Sequence, residues 1–214
     1  MRLFILCLLV SCSSLSKERI AIVDTPLING LFDARYLCPD GHYGNIRTND
    51  IGNVHGTNIY NLVTKNIDRN RYCVVYIAPE MLNEGGYNFN DYLIGIKLIK
   101  NVKYVNMSLS GREPSNKERK ILKNLLDKGI NVFVAAGNSS LNLNVKKEYP
   151  ASYEFTHNNF YVVGNKHESS NYGDVVDFIT NGVSQGLYYK MTGTSQSTAI
   201  ALNKFLRTEN RINR

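Results

Sequence analysis

No internal repeat, low-complexity tract or break in composition divides the 214 residues. A solenoid or a string of modules is therefore excluded, and one domain with one sizeable core is expected. Carboxylates never gather at ligand spacing, so no metal site is assigned and no cofactor is expected, with calcium left unassigned. Cysteine is scarce at four residues, too few and too dispersed to suggest a zinc framework. Nor does any apolar run match a bilayer span: the longest, Leu3 to Val10, stops well short of one. Lysine and arginine total 25 against 18 acidic residues, a net charge of +7, which favours anionic surfaces or substrates. Apart from Lys146 with Lys147, and Lys117, Arg119 and Lys120 on one expected helix, these charges are scattered, and aromatics do not interleave with them. That pattern describes a solvated surface and argues against a nucleic-acid partner.

What is present begins at the amino terminus. Arg2 precedes the short apolar run, and small residues follow it, the pattern of a secretory signal over residues 1–11. Leu9, Val10, Ser11 and Cys12 resemble the lipobox of bacterial lipoproteins. This implies cleavage before Cys12, a lipid on Cys12 and a polar tether over residues 12–19. The expected location is the cell envelope, lipid-anchored through Cys12, with plain secretion as the other reading. Ser13 beside the cysteine points by the same resemblance to the outer membrane. Cys7 leaves with the signal, so Cys38 and Cys73 remain. They either form a disulfide, closing a loop of about 35 residues with a contribution of about 3–4 kcal/mol, or stand as two buried thiols.

From residue 20 onward, short apolar runs alternate with helical periods. Ile20 to Val23, Tyr72 to Ala78, Lys103 to Met107 and Asn131 to Ala135 read as buried strands. Ile59, Leu62 and Val63 share one helical face, as do Leu93 and Ile96 with the apolar stem of Lys100. The best-marked helix is capped by Ser115 and Glu118, continues through Ile121, Leu122, Leu125 and Leu126, and stops at Gly129. Phe160 to Gly164 and Val175 to Ile179 read as late strands, before a last helix near Ser195 to Leu206. This order predicts an α/β fold, a parallel sheet between two layers of helices, occupying residues 20–214. Chemistry in such sheets collects beyond the carboxyl ends of the strands.

Asp24 directly follows a buried strand, His55 opens an amphipathic segment, and Ser195 starts a helix after Gly193. Taken singly they are an ordinary loop aspartate, surface histidine and helix cap. His42, His157 and His167 have no comparable neighbourhood. Together, however, IAIVDT around Asp24, VHGTNI around His55, VNMSLSG from Val105 to Gly111, VFVAAGN ending at Asn138, YPASY from Tyr149 and GTSQST around Ser195 resemble the subtilisin-like serine proteases, in that family's Asp, His, Ser order. The resemblance covers about Ile20 to Ala201.

The resemblance implies a subtilisin-like fold and a serine endopeptidase acting on polypeptides. Ser195 would be the nucleophile, His55 the base, Asp24 its orienting group and Asn138 an oxyanion donor. Ser108, Leu109 and Ser110 would pair with extended substrate, and Ala135, Ala136 and Gly137 would wall the pocket for the residue before the scissile bond. Pro26, Ser110 and Ala199 depart from the family's usual residues, which keeps open a catalytically silent lipoprotein that holds peptides or a partner. With few residues between Cys12 and the first strand, folding without the inhibitory propeptide of many relatives is expected, and so is a domain without the helices many relatives append after the last one.

Overall fold

The computed structural model describes residues 16–82, 86–186 and 190–212. The leader and Cys12 lie outside the described residues. The strands are β1 (Glu18–Val23), β2 (Leu27–Ile28), β3 (Leu37–Tyr43), β4 (Arg47–Thr48), β5 (Tyr72–Ile77), β6 (Tyr104–Met107), β7 (Asn131–Ala135), β8 (Phe160–Asn165), β9 (Phe178–Thr180), β10 (Val183–Gln185) and β11 (Lys190–Thr192). The helices are α1 (His55–Thr64), α2 (Phe89–Lys97), α3 (Asn116–Asp127) and α4 (Thr194–Ile212).

Seven strands form one parallel sheet in the order β3-β5-β1-β6-β7-β8-β9. Side chains alternate across it. Ala21 and Val23 of β1 join Tyr92, Leu93 and Ile96 of α2 and Leu122 and Leu125 of α3, while Ile20 and Ile22 join Ile59 and Val63 of α1 and Leu202 and Leu206 of α4. A strand buried on both faces has no polar side to expose, which is why β1 reads as an unbroken apolar run. From β1 the chain moves outward to β3 and β5, then recrosses through α2 to β6 on the other side of β1. The β1/β6 junction is the switch point of the sheet, where a crevice opens beyond the carboxyl ends.

The expected strand Val175 to Ile179 is shorter than predicted and shifted. The Asp177 carboxylate accepts the Val162 N–H at 2.7 Å, and the Asp177 N–H bonds the Val162 carbonyl at 3.0 Å. A side chain thus replaces the ladder, and regular pairing resumes only at Phe178. Nothing in LCPDGHY signals a strand, because Pro39 and Gly41 disfavour one. Yet β3 forms, at the sheet edge and with a register irregularity between Leu37 and His42, where a missing ladder donor is tolerated.

A disulfide joins β3 to β5: Cys38 and Cys73 have Cα atoms 5.1 Å apart and a bonded sulfur pair. It anchors the strand whose own sequence supports it least. Replacing both cysteines by serine is expected to lower unfolding free energy by about 3–4 kcal/mol. Urea denaturation reads this directly, and a midpoint unmoved by the double replacement would contradict it.

Helix α3 begins as predicted, with Ser115 Oγ accepting the Glu118 N–H at 3.3 Å, and Gly129 beyond its end takes φ +76°. The reciprocal half of the capping box is built differently. Tyr153 Oη accepts the Ser115 N–H at 2.8 Å, and the Tyr153 and Tyr92 hydroxyls donate to Glu118 at 2.6 and 2.5 Å. Burial pushes the Glu118 carboxyl pKa up, against the lowering effect of these two hydrogen bonds.

Candidate active site

Asp24 is the residue after β1 and is fully buried. Its Oδ1 accepts the Thr25 N–H at 2.7 Å and lies 2.7 Å from His55 Nδ1, while Oδ2 has no hydrogen-bond partner among the described residues. Helix α1 opens at His55 without a side-chain cap from Val54. The cap comes instead from Thr25, whose Oγ1 accepts the Gly56 N–H at 2.9 Å, while Tyr76 donates to the Thr25 carbonyl at 2.7 Å. Any Cβ at position 56 would lie 2.0 Å from that carbonyl oxygen. Glycine after the histidine therefore lets α1 press onto the end of β1, and this contact brings the imidazole to the carboxylate.

A carboxylate can only accept, so Nδ1 carries the proton and Nε2 keeps its lone pair toward the crevice. Burial by itself would lower the His55 pKa, but the Asp24 charge and hydrogen bond outweigh it, and the pKa is raised above the ordinary 6.5. The side chain keeps 30% of its exposure, so substrate can reach it.

Ser195 is the second residue of α4. Its hydroxyl donates to the Ser108 carbonyl at 3.1 Å, and the Ser108 hydroxyl donates to the Ser195 carbonyl at 2.9 Å and accepts from Asn106 Nδ2 at 2.9 Å. This reciprocal pair locks the first turn of α4 to the end of β6. No hydrogen bond joins Ser195 to His55, so the hydroxyl must rotate away from Ser108 before its proton can pass to the imidazole, a looseness common in unliganded sites.

Asn138 follows β7 and is exposed at its tip. Its Oδ1 accepts from the Thr194 N–H at 2.9 Å and the Thr194 hydroxyl at 3.2 Å. Because an N–H can only donate, the amide oxygen is fixed inward, and the Nδ2 donors have no partner among the described residues. The Asn138 amide oxygen and nitrogen would lie 3.3 and 3.4 Å from a Cβ at Gly193, so a glycine before Thr194 suits this approach.

Two further clamps join the helices that carry His55 and Ser195. Gln196 Nε2 reaches Asn58 Oδ1 at 3.5 Å, and Asn203 Nδ2 donates to the Val63 and Lys65 carbonyls at 2.9 and 2.8 Å. Asn203 thereby caps the carboxyl end of α1 from α4. Sequence reasoning singled out none of Thr25, Thr194, Asn58 and Asn203. Only Thr25 and Thr194 had a signal, their adjacency to Asp24 and Ser195.

The expected substrate-contact residues divide into two groups. Ser108 is buried, Leu109 half-buried and Ser110 exposed, and all three border a cleft of about 430 Å³ with Tyr87, Tyr92 and Tyr149. Gly111 exchanges two 2.7 Å hydrogen bonds with Tyr149, so free edge is confined to the residues before it. Ala135, Ala136 and Gly137 are buried and do not line that cleft. Gly137 has φ +99°, and a Cβ there would sit 2.1 Å from Glu148 Oε2. The buried Glu148 carboxylate accepts from Ser139 Oγ at 2.7 Å and Asn171 Nδ2 at 2.9 Å, bracing the loop that carries Asn138. His157 pairs with Asp127 and His167 with Ser169, both on the surface.

Residues 18–210 match the subtilase family. The chain belongs to that family. Membership makes it a serine protease, a hydrolase, in broad class. A cold-adapted subtilisin-like serine proteinase superposes with a TM-score of 0.67 at 20% identity, over 91% of this chain and 76% of the other. A lanthipeptide protease superposes with a TM-score of 0.68 at 15% identity, over 92% and 75%. At these identities the likeness is one of fold. No curated protein matches the chain. In this subtilase Ala199 is fully buried within an uninterrupted α4, so the departure at that position leaves the helix intact. No group of three or more His, Cys, Asp or Glu among the described residues could hold a metal ion.

Proposed function

We propose that this subtilase is a lipid-anchored endopeptidase of the cell envelope that cleaves polypeptides with Ser195, His55, Asp24 and Asn138. The observation carrying the reading is the buried Asp24 carboxylate held 2.7 Å from His55 Nδ1, which prepares Nε2 to take a proton. Ser195 Oγ attacks the scissile carbonyl carbon as its proton moves to Nε2. The carbonyl oxygen becomes an oxyanion that accepts from Asn138 Nδ2 and the Ser195 N–H at the positive end of α4. Collapse breaks the C–N bond, and the imidazolium gives its proton to the leaving amine. Water then repeats the sequence and frees the acyl group from Ser195.

Extended substrate pairs with the edge at Ser108, Leu109 and Ser110, which favours unstructured peptide, and the main chain of Ala135, Ala136 and Gly137 walls the pocket on the other side. Lipidation of Cys12 supplies the membrane attachment. No described helix is long and apolar enough to cross a membrane.

The test is covalent capture. A peptidyl organophosphonate is expected to add one adduct to the folded protein, mapped to Ser195 by mass spectrometry. A second reading, a silent peptide holder, draws on the Ser195 hydroxyl being bonded to Ser108 and not to His55. Peptide binding by folded protein with no adduct would replace the first reading with the second.

A further inference from the structure

A second cavity is remote from the crevice. It is a groove of about 600 Å³ between α2 and α3, on the outer side of the layer covering the sheet. Its floor is apolar, from Leu93, Ile96 and Ile121, and at its edge Ile94, on the outward face of α2, leaves an apolar side chain 51% exposed. Four exposed lysines, Lys97, Lys117, Lys120 and Lys128, form the rim. None of the four is in an ion pair with a described residue, and no carboxylate lines the groove. The acidic residues of these two helices are engaged elsewhere: Asp91 with Tyr43, Glu118 with two tyrosines beneath the helix, and Asp127 with Lys123 and His157.

The groove also has a direction. Helices α2 and α3 run antiparallel to the strands they connect, so Lys97, Leu98 and Lys128 lie at the amino ends of the strands. Leu98 is 54% exposed there. Glu18, the first residue of β1, begins at the same end. Cys12 is six residues before Glu18, a reach of about 20 Å at full extension. A lipid on Cys12 therefore holds the bilayer within reach of this face, with the crevice at the opposite ends of the strands.

We propose that the α2–α3 groove is a membrane-docking face for anionic phospholipid. Ile94 and Leu98 enter the headgroup boundary while the lysine rim pairs with the lipid phosphates. The docked face adds an electrostatic and apolar contact beside the Cys12 anchor and fixes which side of the protein meets the bilayer. The inference rests on the Cys12 reading for its orientation and is independent of catalysis.

An environment-sensitive dye on Asn124→Cys, in the groove lining, reports docking separately from anchoring. The mass of the mature chain reports lipidation, and turnover of a soluble peptide reports catalysis. The dye is expected to shift to the blue on phosphatidylcholine vesicles containing phosphatidylglycerol and not on phosphatidylcholine alone. Lys97→Gln with Lys128→Gln, two exposed positions, is expected to reduce the docked-to-undocked ratio about 25-fold, at about fivefold per lysine, with soluble-peptide turnover unchanged. A dye that stays in water on the anionic vesicles, an equal shift on both vesicles, or a shift unaltered by the two lysine replacements would each overturn the proposal.

Discussion

Ser195→Ala is expected to lower kcat by about 10⁶-fold, the scale of loss when a subtilisin's nucleophile is removed. The protein should remain folded. The Ser195 hydroxyl makes one hydrogen bond, to the Ser108 carbonyl, whereas the lock between α4 and β6 is kept by the Ser108 hydroxyl on the Ser195 carbonyl. Losing one such donor costs about 1 kcal/mol. Residual turnover above water, of about 10³–10⁴, would be left to the Asn138 donor and substrate positioning. Peptide hydrolysis followed beside thermal unfolding separates the two effects. A folded alanine variant that keeps more than about one per cent of the rate would remove Ser195 from the chemistry.

Asp24→Asn is expected to have the second largest effect, about 10⁴-fold on kcat, with a displaced pH profile as its signature. In the native site burial opposes protonation of His55, and the Asp24 charge overcomes it, so the limb on which the base becomes neutral lies above 6.5. An uncharged amide removes the opposing effect and leaves burial. The limb should then move below the ordinary histidine value, while the imidazolium formed during attack loses its counter-charge. The same pair has a stability signature. With the folded pKa raised, its contribution is complete below 6.5 and lost as pH rises through the raised value, and Asp24→Asn should abolish that alkaline loss. An unchanged profile in the variant would mean that Asp24 does not govern His55.

The central strands were legible because a parallel strand covered on both faces must be apolar throughout, and Ile20 to Val23 and Tyr72 to Ile77 are. Helix α3 was legible because Ser115 and Gly129 act locally, one through its side chain and one through its backbone freedom. The edge strand β3 was not, since Pro39 and Gly41 argue against a strand and its support comes from β5 and the Cys38–Cys73 bridge. The tyrosine hydroxyl that completes the cap of α3 is 38 residues away, a contact no local pattern encodes. The cleft beside Ser110 escaped for the same reason, as Tyr87 and Tyr149 come from separate loops.

By itself the sequence determined the cast and its order: Asp24 after a buried strand, His55 before a glycine, Asn138 after β7 and Ser195 at a helix start. Their positions follow from strand ends, helix starts and glycines, while their choice as a set rests on the resemblance of six ordered segments to the subtilisin-like proteases. Tertiary structure alone decided how they meet. The recrossing of the chain at β1 sets α1 beside α4, Thr25 and Asn203 hold the two ends of α1, and Thr194 turns the Asn138 amide. It also decided that the Ser195 hydroxyl rests on Ser108, and that four lysines from two helices surround one apolar groove. Such contacts depend on distances between residues far apart in the chain, and packing of the sheet and its helices sets those distances.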